Sequence, residues 1–210
     1  MREPLLIYGA GGLGKEVLSL VNATDRYEVK GFLDDGIQRG TIIKGVKILG
    51  GYDELRSFDY PINLVLALGS PSSKVDLLKK MDRSGVTFPI LRHPSVILQD
   101  ASAIEIGEGT ILCAGSILTT DIRIGSHVLV NLNCTIGHGV TIGTASSLMP
   151  GVNVAGEVTI GSSALIGSGV NVINRVTIGD NSIVGMGAVV LRDVAMGATV
   201  AGIPAKPIRQ

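Results

Sequence analysis

From residue 106 to residue 190 an aliphatic side chain returns at every sixth position. The series runs Ile106, Leu112, Leu118, Ile124, Val130, Ile136, Ile142, Leu148, Val154, Ile160, Ile166, Val172, Ile178, Val184, Val190. Four places after each lies a small or β-branched residue, as at Thr110, Ser116, Val128, Cys134, Val140 and Val152. Glycine often follows the aliphatic residue directly, as at Gly107, Gly125, Gly143 and Gly161. A helix repeats about every 3.6 residues and a half-buried strand about every 2, so neither fits this comb. A hexapeptide repeat wound into a parallel β-helix does. Three such repeats predict a triangular coil of about eighteen residues. The aliphatic residue should point inward at each corner and stack on its equivalent one coil away.

The chain ahead of the comb has a different pattern. Residues 5–8 read as a short buried strand, followed by Gly9-Ala10-Gly11-Gly12-Leu13-Gly14 and a helical pattern from Lys15 to Asn22. A second strand is predicted over Val29–Leu33, ending on Asp34-Asp35. A third spans 63–68 and is closed by Gly69-Ser70-Pro71. Ser72 or Ser73 can cap a helix over Lys74–Met81, and Val86–Leu91 reads as a last strand. This order suggests a small parallel, Rossmann-like α/β domain over 1–92. His93-Pro94 marks the boundary to the β-helix domain of 93–210, with coils from about Val96. After Val190 the pattern decays into Gly202-Ile203-Pro204-Ala205-Lys206-Pro207, expected as a tail on the outer surface.

Composition sharpens the picture. Apolar residues make up 45% of the 210, yet only seven are aromatic (four Tyr, three Phe), so the core must be aliphatic. The formal net charge is zero, which argues against nucleic acid or an anionic membrane as partner. No apolar run is long enough to span a membrane, and Met1-Arg2-Glu3-Pro4 has no secretory-signal pattern. The cytoplasm is the expected compartment. Two cysteines, Cys113 and Cys134, make no disulfide framework, and Cys134 falls on an inward position where an inert thiol is expected.

Two places carry candidate chemistry. A strand, then Gly9-x-Gly11-Gly12-x-Gly14, then a helix is a phosphate-cradling arrangement, because glycines permit the turn and free N–H groups attract an anion. Asp34 and Asp35, about twenty positions on, could accept hydrogen bonds from a ribose or base. A unit of this size suits a nucleotide-sugar better than NAD. The second place is His138, in Asn131-Leu-Asn-Cys-Thr-Ile-Gly-His138-Gly139. Two places after an aliphatic position, it should point outward, and eighteen residues on lies Gly156. A histidine can take a proton near neutral pH, and the Gly156 N–H can bind a developing oxyanion. Those parts suit acyl transfer from a thioester. His127 and His138 lie eleven residues apart on different faces, and His93 is outside the comb, so no metal site is expected within one chain.

Taken together, Gly9–Gly14, Gly31-Phe-Leu-Asp34-Asp35, His93-Pro94, Asn131–His138, the uninterrupted comb and Gly202–Lys206 give a chain that resembles the bacterial hexapeptide acyltransferases of surface-glycan sugars. That family includes N-acetyltransferases of nucleotide-linked amino sugars and sialic-acid O-acetyltransferases. The resemblance implies a homotrimer of left-handed β-helices with acetyl-CoA between coils and no metal. It implies His138 as general base and the Gly156 amide at the acetyl carbonyl. Asn131, Gly11, Gly12, Leu13, Asp34, Asp35 and Gly69 would meet the acceptor, and Ser147, Gly156 and Ser168 the cofactor. Three positions depart from the family pattern. Gly139 stands where an acidic residue often follows the histidine, Leu13 where amino-sugar enzymes often carry a histidine, and Ser147 where some relatives have one.

The expected function is acetyl transfer from acetyl-CoA to a nucleotide-linked amino sugar. A sugar O-acetyltransferase and a non-catalytic nucleotide-sugar-binding trimer are the alternatives. A nucleotidyltransferase fused to a β-helix is excluded by the size of the first half.

Overall fold

The computed structural model describes residues 2–55, 57–58, 61–81 and 85–208. In the first part, β1 (Glu3–Tyr8) lies between β2 (Tyr27–Leu33) and β5 (Ile62–Leu66), both parallel to it. β4 (Val46–Gly50) pairs parallel with β2, and β6 (Val86–Thr87) with β5. β3 (Ile42–Ile43) folds back on β4 through Lys44-Gly45, both at positive φ. The helices are α1 (Gly12–Asn22), α2 (Tyr52–Leu55) and α3 (Pro71–Lys80). The strands β1 and β5 are buried along most of their length, as central parallel strands must be.

The second part is the predicted coil. Its strands are two or three residues long and stack into three parallel sheets. The first face runs from Leu91–Arg92 through Ile111–Leu112, Leu129–Val130, Ser147–Leu148 and Leu165–Ile166 to Ile183–Val184 and Thr199–Ala201. The second includes Ile117–Leu118, Thr135–Ile136, Asn153–Val154 and Asn171–Val172. The third includes Ile122–Ile124, Thr141–Ile142, Thr159–Ile160 and Thr177–Ile178. From Ile111 to Val184 the partners are eighteen residues apart, so Leu112, Val130, Leu148, Ile166 and Val184 form one buried column. Cys134 sits in this interior, fully buried, its thiol pushed up to about 11 by burial.

Several expectations are corrected. The comb residues do not sit at the corners; each ends a flat strand, and the corner follows it. The corner itself needs left-handed backbone, supplied by Asp121, His127, Asn133, Glu157, Ser163 and Arg175 at φ of 54–63° and by Gly139 at 68°. A glycine directly after the comb residue is sterically required where the chain turns from the third face to the first: a Cβ on Gly143 would lie 2.4 Å from Ser162 N in the next coil. The strand expected over 86–91 is two strands in different sheets. Pro89 lacks an N–H and interrupts it, and Leu91–Arg92 already belongs to the coil, ahead of the expected start near Val96. The cap of α3 is Ser70, whose Oγ accepts from Ser73 N at 3.3 Å, with Pro71 opening the helix. The tail does not merely lie on the surface: Thr199–Ala201 extends the first face and Lys206–Pro207 pairs antiparallel with it.

The two parts share a core. Leu91, Ile111, Cys113 and Leu129 on the outside of the first face pack with Leu18 and Val21 of α1 and with their neighbours in the α/β part. This seats the glycine loop beside the corner between the first and second faces. No helix among the described residues is long and apolar enough to cross a membrane.

Candidate active site

The glycine loop is built from two kinds of glycine. Gly9 takes a φ of +98°, and a Cβ on Gly14 would lie 2.1 Å from Gly9 O. Those two let α1 start hard against the end of β1. Gly11 and Gly12 are exposed, and a Cβ on either would meet nothing within 4 Å. The chain itself does not need glycine there, and the bare backbone leaves room for a ligand to approach. No side chain caps α1, so its first N–H groups and the positive end of its dipole are open to an anion.

Asp34 and Asp35, expected to face a ribose or base, spend their oxygens on the protein itself, and only Asp34 reaches the glycine loop. Asp34 accepts from Ala10 N at 2.8 Å and Gly36 N at 2.9 Å. Asp35 accepts from Tyr52 N at 2.7 Å and from the Tyr8 hydroxyl. Burial, reinforced by the bond to Asp35, holds the Tyr8 phenol protonated far above its ordinary range. Asp34 thus ties the end of β2 to the glycine loop and fixes its shape.

The loop faces the first corner of the coil. A Cβ on Gly69 would lie 3.5 Å from Met149 Cε and 3.9 Å from Leu13 Cδ2. Met149 stacks one coil above Asn131, which is buried and accepts from Leu132 N at 2.7 Å through its own Oδ1. Ser168, half-buried, lies on the same corner one coil further on. Leu13 and Gly69 therefore meet the coil at Met149, with Asn131 and Ser168 on the same corner in the coils on either side.

His138 occupies the second corner, across the flat second face. Its exposed imidazole lies on Gly156: a Cβ there would sit 2.5 Å from Nε2 and 2.6 Å from Cε1. The Gly156 N–H has no acceptor among the described residues. A Cβ on Gly137 would lie 2.8 Å from that nitrogen, so the two glycines together leave the amide uncovered. A base and a free N–H thus adjoin on one corner, the pairing that thioester aminolysis or alcoholysis requires. Beside them, Glu157 and Arg175 form a two-bond ion pair at 3.0 and 3.3 Å.

Ser147, expected at the cofactor, is fully buried on the first face beneath α3. Its hydroxyl accepts from Lys74 Nζ at 3.0 Å. The same ammonium donates to His127 O at 2.9 Å and Ser146 O at 3.1 Å. Lys74 is only 2% exposed, and burial pulls it down to about 7. The sequence signal for it was the spacing Pro71, Lys74, Leu77, which puts the lysine on the buried stripe of α3. His127 packs edge-on against Phe88 at 4.8 Å, on a different corner from His138. His93 Nδ1 bonds Ser95 Oγ at 2.8 Å. Among the described residues no three His, Cys, Asp or Glu side chains are grouped to hold a metal ion.

Comparison with known proteins bears on both parts of the chain. Residues 4–81 match the model of the PglD N-terminal domain, and residues 157–192 that of the bacterial transferase hexapeptide of six repeats. No curated protein matches the sequence. Among solved structures, the acetyltransferase domain of PglB from Neisseria gonorrhoeae FA1090 is 29% identical, covers 99% of this chain and 100% of its own, and has a TM-score of 0.91. A variant of perosamine N-acetyltransferase from Caulobacter crescentus, in complex with CoA and GDP-perosamine, is 29% identical over 100% of this chain and 99% of its own, with a TM-score of 0.91. WeeI from Acinetobacter baumannii AYE is 31% identical over 99% of this chain and 100% of its own, with a TM-score of 0.87. The coil is thus the left-handed β-helix of such acetyltransferases.

Proposed function

Because the chain belongs to the bacterial hexapeptide-repeat sugar acyltransferases, we propose that it moves the acetyl group of acetyl-CoA onto the amine of a nucleotide-linked amino sugar. The observation that carries this reading is His138 lying on Gly156, with the free Gly156 N–H beside it. His138 takes a proton from the acceptor nitrogen as it attacks the thioester carbonyl. The Gly156 N–H stabilises the tetrahedral oxyanion, and collapse expels the CoA thiolate, which takes up a proton. Ser168 is assigned to the cofactor. Gly11 and Gly12, at the open end of α1, receive the acceptor's diphosphate. Asp34 shapes that loop, Asp35 holds the end of β1 and the start of α2 beside it, and Leu13, Gly69 and Asn131 border the sugar. A relative crystallised with CoA and GDP-perosamine supports this substrate class.

The acceptor region and His138 lie on different corners of one chain, separated by the second face. A closed trimer, in which the second corner of one copy meets the first corner of its neighbour, would unite them. We infer that assembly, and the cytoplasm as its compartment. The test is CoA thiol release from acetyl-CoA across UDP-, GDP- and dTDP-linked amino sugars, their hydroxyl counterparts and free sialic acids. Release with an amino sugar is expected. Release only with a hydroxyl acceptor would make the protein an O-acetyltransferase. Stabilisation by a nucleotide-sugar but not by acetyl-CoA in a thermal-shift assay would make it a binding scaffold.

A further inference from the structure

Resting on the reading of His138 as base, we propose that Glu157, clamped by Arg175, is the positioning carboxylate of His138, supplied from the next coil. The imidazole of His138 is exposed, and among the described residues no hydrogen bond holds it. A base in that situation gains from a fixed anion that favours the imidazolium and biases the ring.

The left-handed corner positions beside His138 form a column with one residue per coil: Asp121, Gly139, Glu157 and Arg175. Gly139 contributes no side chain. A Cβ there would lie 3.5 Å from Glu157 Cγ, so the Glu157 stem occupies the space over His138's own coil. The backbones are pinned together, with Glu157 N donating to His138 O at 2.7 Å. Arg175 grips the carboxylate from the coil beyond, through Nε at 3.0 Å and Nη2 at 3.3 Å. The bond to Arg175, then its charge, hold Glu157 below the usual carboxylate range, with the charge of His138 a smaller contribution. Glu157 is therefore ionised at neutral pH. Other charges face the same corner from below. Asp121 and the Glu105–Arg123 pair, 3.6 Å apart, line a cavity of about 360 Å³ that reaches Gly139. Asp121, Glu105 and Arg123 are common to every variant tested, so their contribution cancels in the comparison.

The experiment is an NMR titration of the His138 imidazole in the full-length chain, its resonance assigned by its loss in His138→Ala. Glu157→Gln should lower the midpoint by about half a pH unit, the coupling expected for exposed charges about one coil apart. Arg175→Gln should move it the opposite way, because the carboxylate then acts unopposed. Glu157→Asp should restore most of the wild-type value. The acidic limb of the pH profile of kcat/KM should move with the midpoint in each variant. A purely structural role would give neither the opposite signs nor the rescue. A midpoint in Glu157→Gln within about 0.1 of wild type would overturn the proposal. A midpoint that moves while the kinetic limb stays put would instead overturn His138 as base, and with it the catalytic role of Glu157.

Discussion

Gly156 is the residue on which the proposed chemistry turns. Its missing side chain is the seat of the His138 ring, and its N–H is the free donor beside it. Gly156→Ala places a methyl where Nε2 and Cε1 now lie. His138 is exposed and can swing outward, so folding should barely change while the base leaves its position. We expect kcat to fall about ten- to a hundred-fold with Tm within a degree or two of wild type, as measured by CoA release and calorimetry. An unchanged kcat would mean that the observed ring position is not the working one. The stacking of His138 on Gly156 was legible from the sequence, because an eighteen-residue coil makes it simple arithmetic. The Glu157–Arg175 pair was equally eighteen apart, but nothing in the sequence said that corner residues take left-handed backbone and lean along the column. Asp34 and Asp35 were singled out by their spacing from the glycine loop, but as acceptors from a ribose or base; their bonds to Ala10 N and the Tyr8 hydroxyl depend on how β1 and β2 pair, which the spacing does not give.

At the scale of elements, the glycine loop holds, within six residues, glycines that the fold requires and glycines that we assign to the ligand. Gly14→Ala forces a Cβ to 2.1 Å from Gly9 O, a backbone atom that cannot step aside. Thermal and denaturant unfolding should show a loss of about 1–3 kcal/mol. Gly11→Ala meets only open space, so its Tm should match wild type while KM for the nucleotide-linked acceptor rises and KM for acetyl-CoA does not. Equal destabilisation by both would contradict the division. Elements with strong periodicity were readable: the coil strands, α1 and the central strands of the sheet. The misses have local causes. The β3–β4 hairpin turns at Lys44-Gly45, a pair with no strong turn signature. Ser70 rather than Ser72 or Ser73 caps α3 because Pro71 at the first helical position moves the start from Lys74 to Pro71.

At the scale of the whole molecule, Lys74 joins the two parts by donating from α3 to three oxygens of the coil. An unfolded lysine titrates near 10.5, and burial brings Lys74 down to about 7. Below about pH 7 both states hold the proton and the cost of burying the charge is full. Between about 7 and 10.5 the unfolded state binds the proton and the folded state sheds it, so rising pH favours folding. Relative to Lys74→Met, which has no such titration, wild type should gain on the order of a few kcal/mol between pH 7 and 10. A difference flat with pH would show that the three acceptors keep the ammonium charged. Sequence periodicity could not foresee this contact, because it describes each part alone and not their docking. The same limit hid the spread of the proposed site over two corners, with the glycine loop beside one and His138 on the other. The most direct test of the central claim is the turnover number for CoA release with the preferred nucleotide-linked amino sugar, compared between wild type and His138→Ala. The account predicts a fall of about two to four orders of magnitude with both KM values little changed. A variant that turns over at the wild-type rate would contradict it.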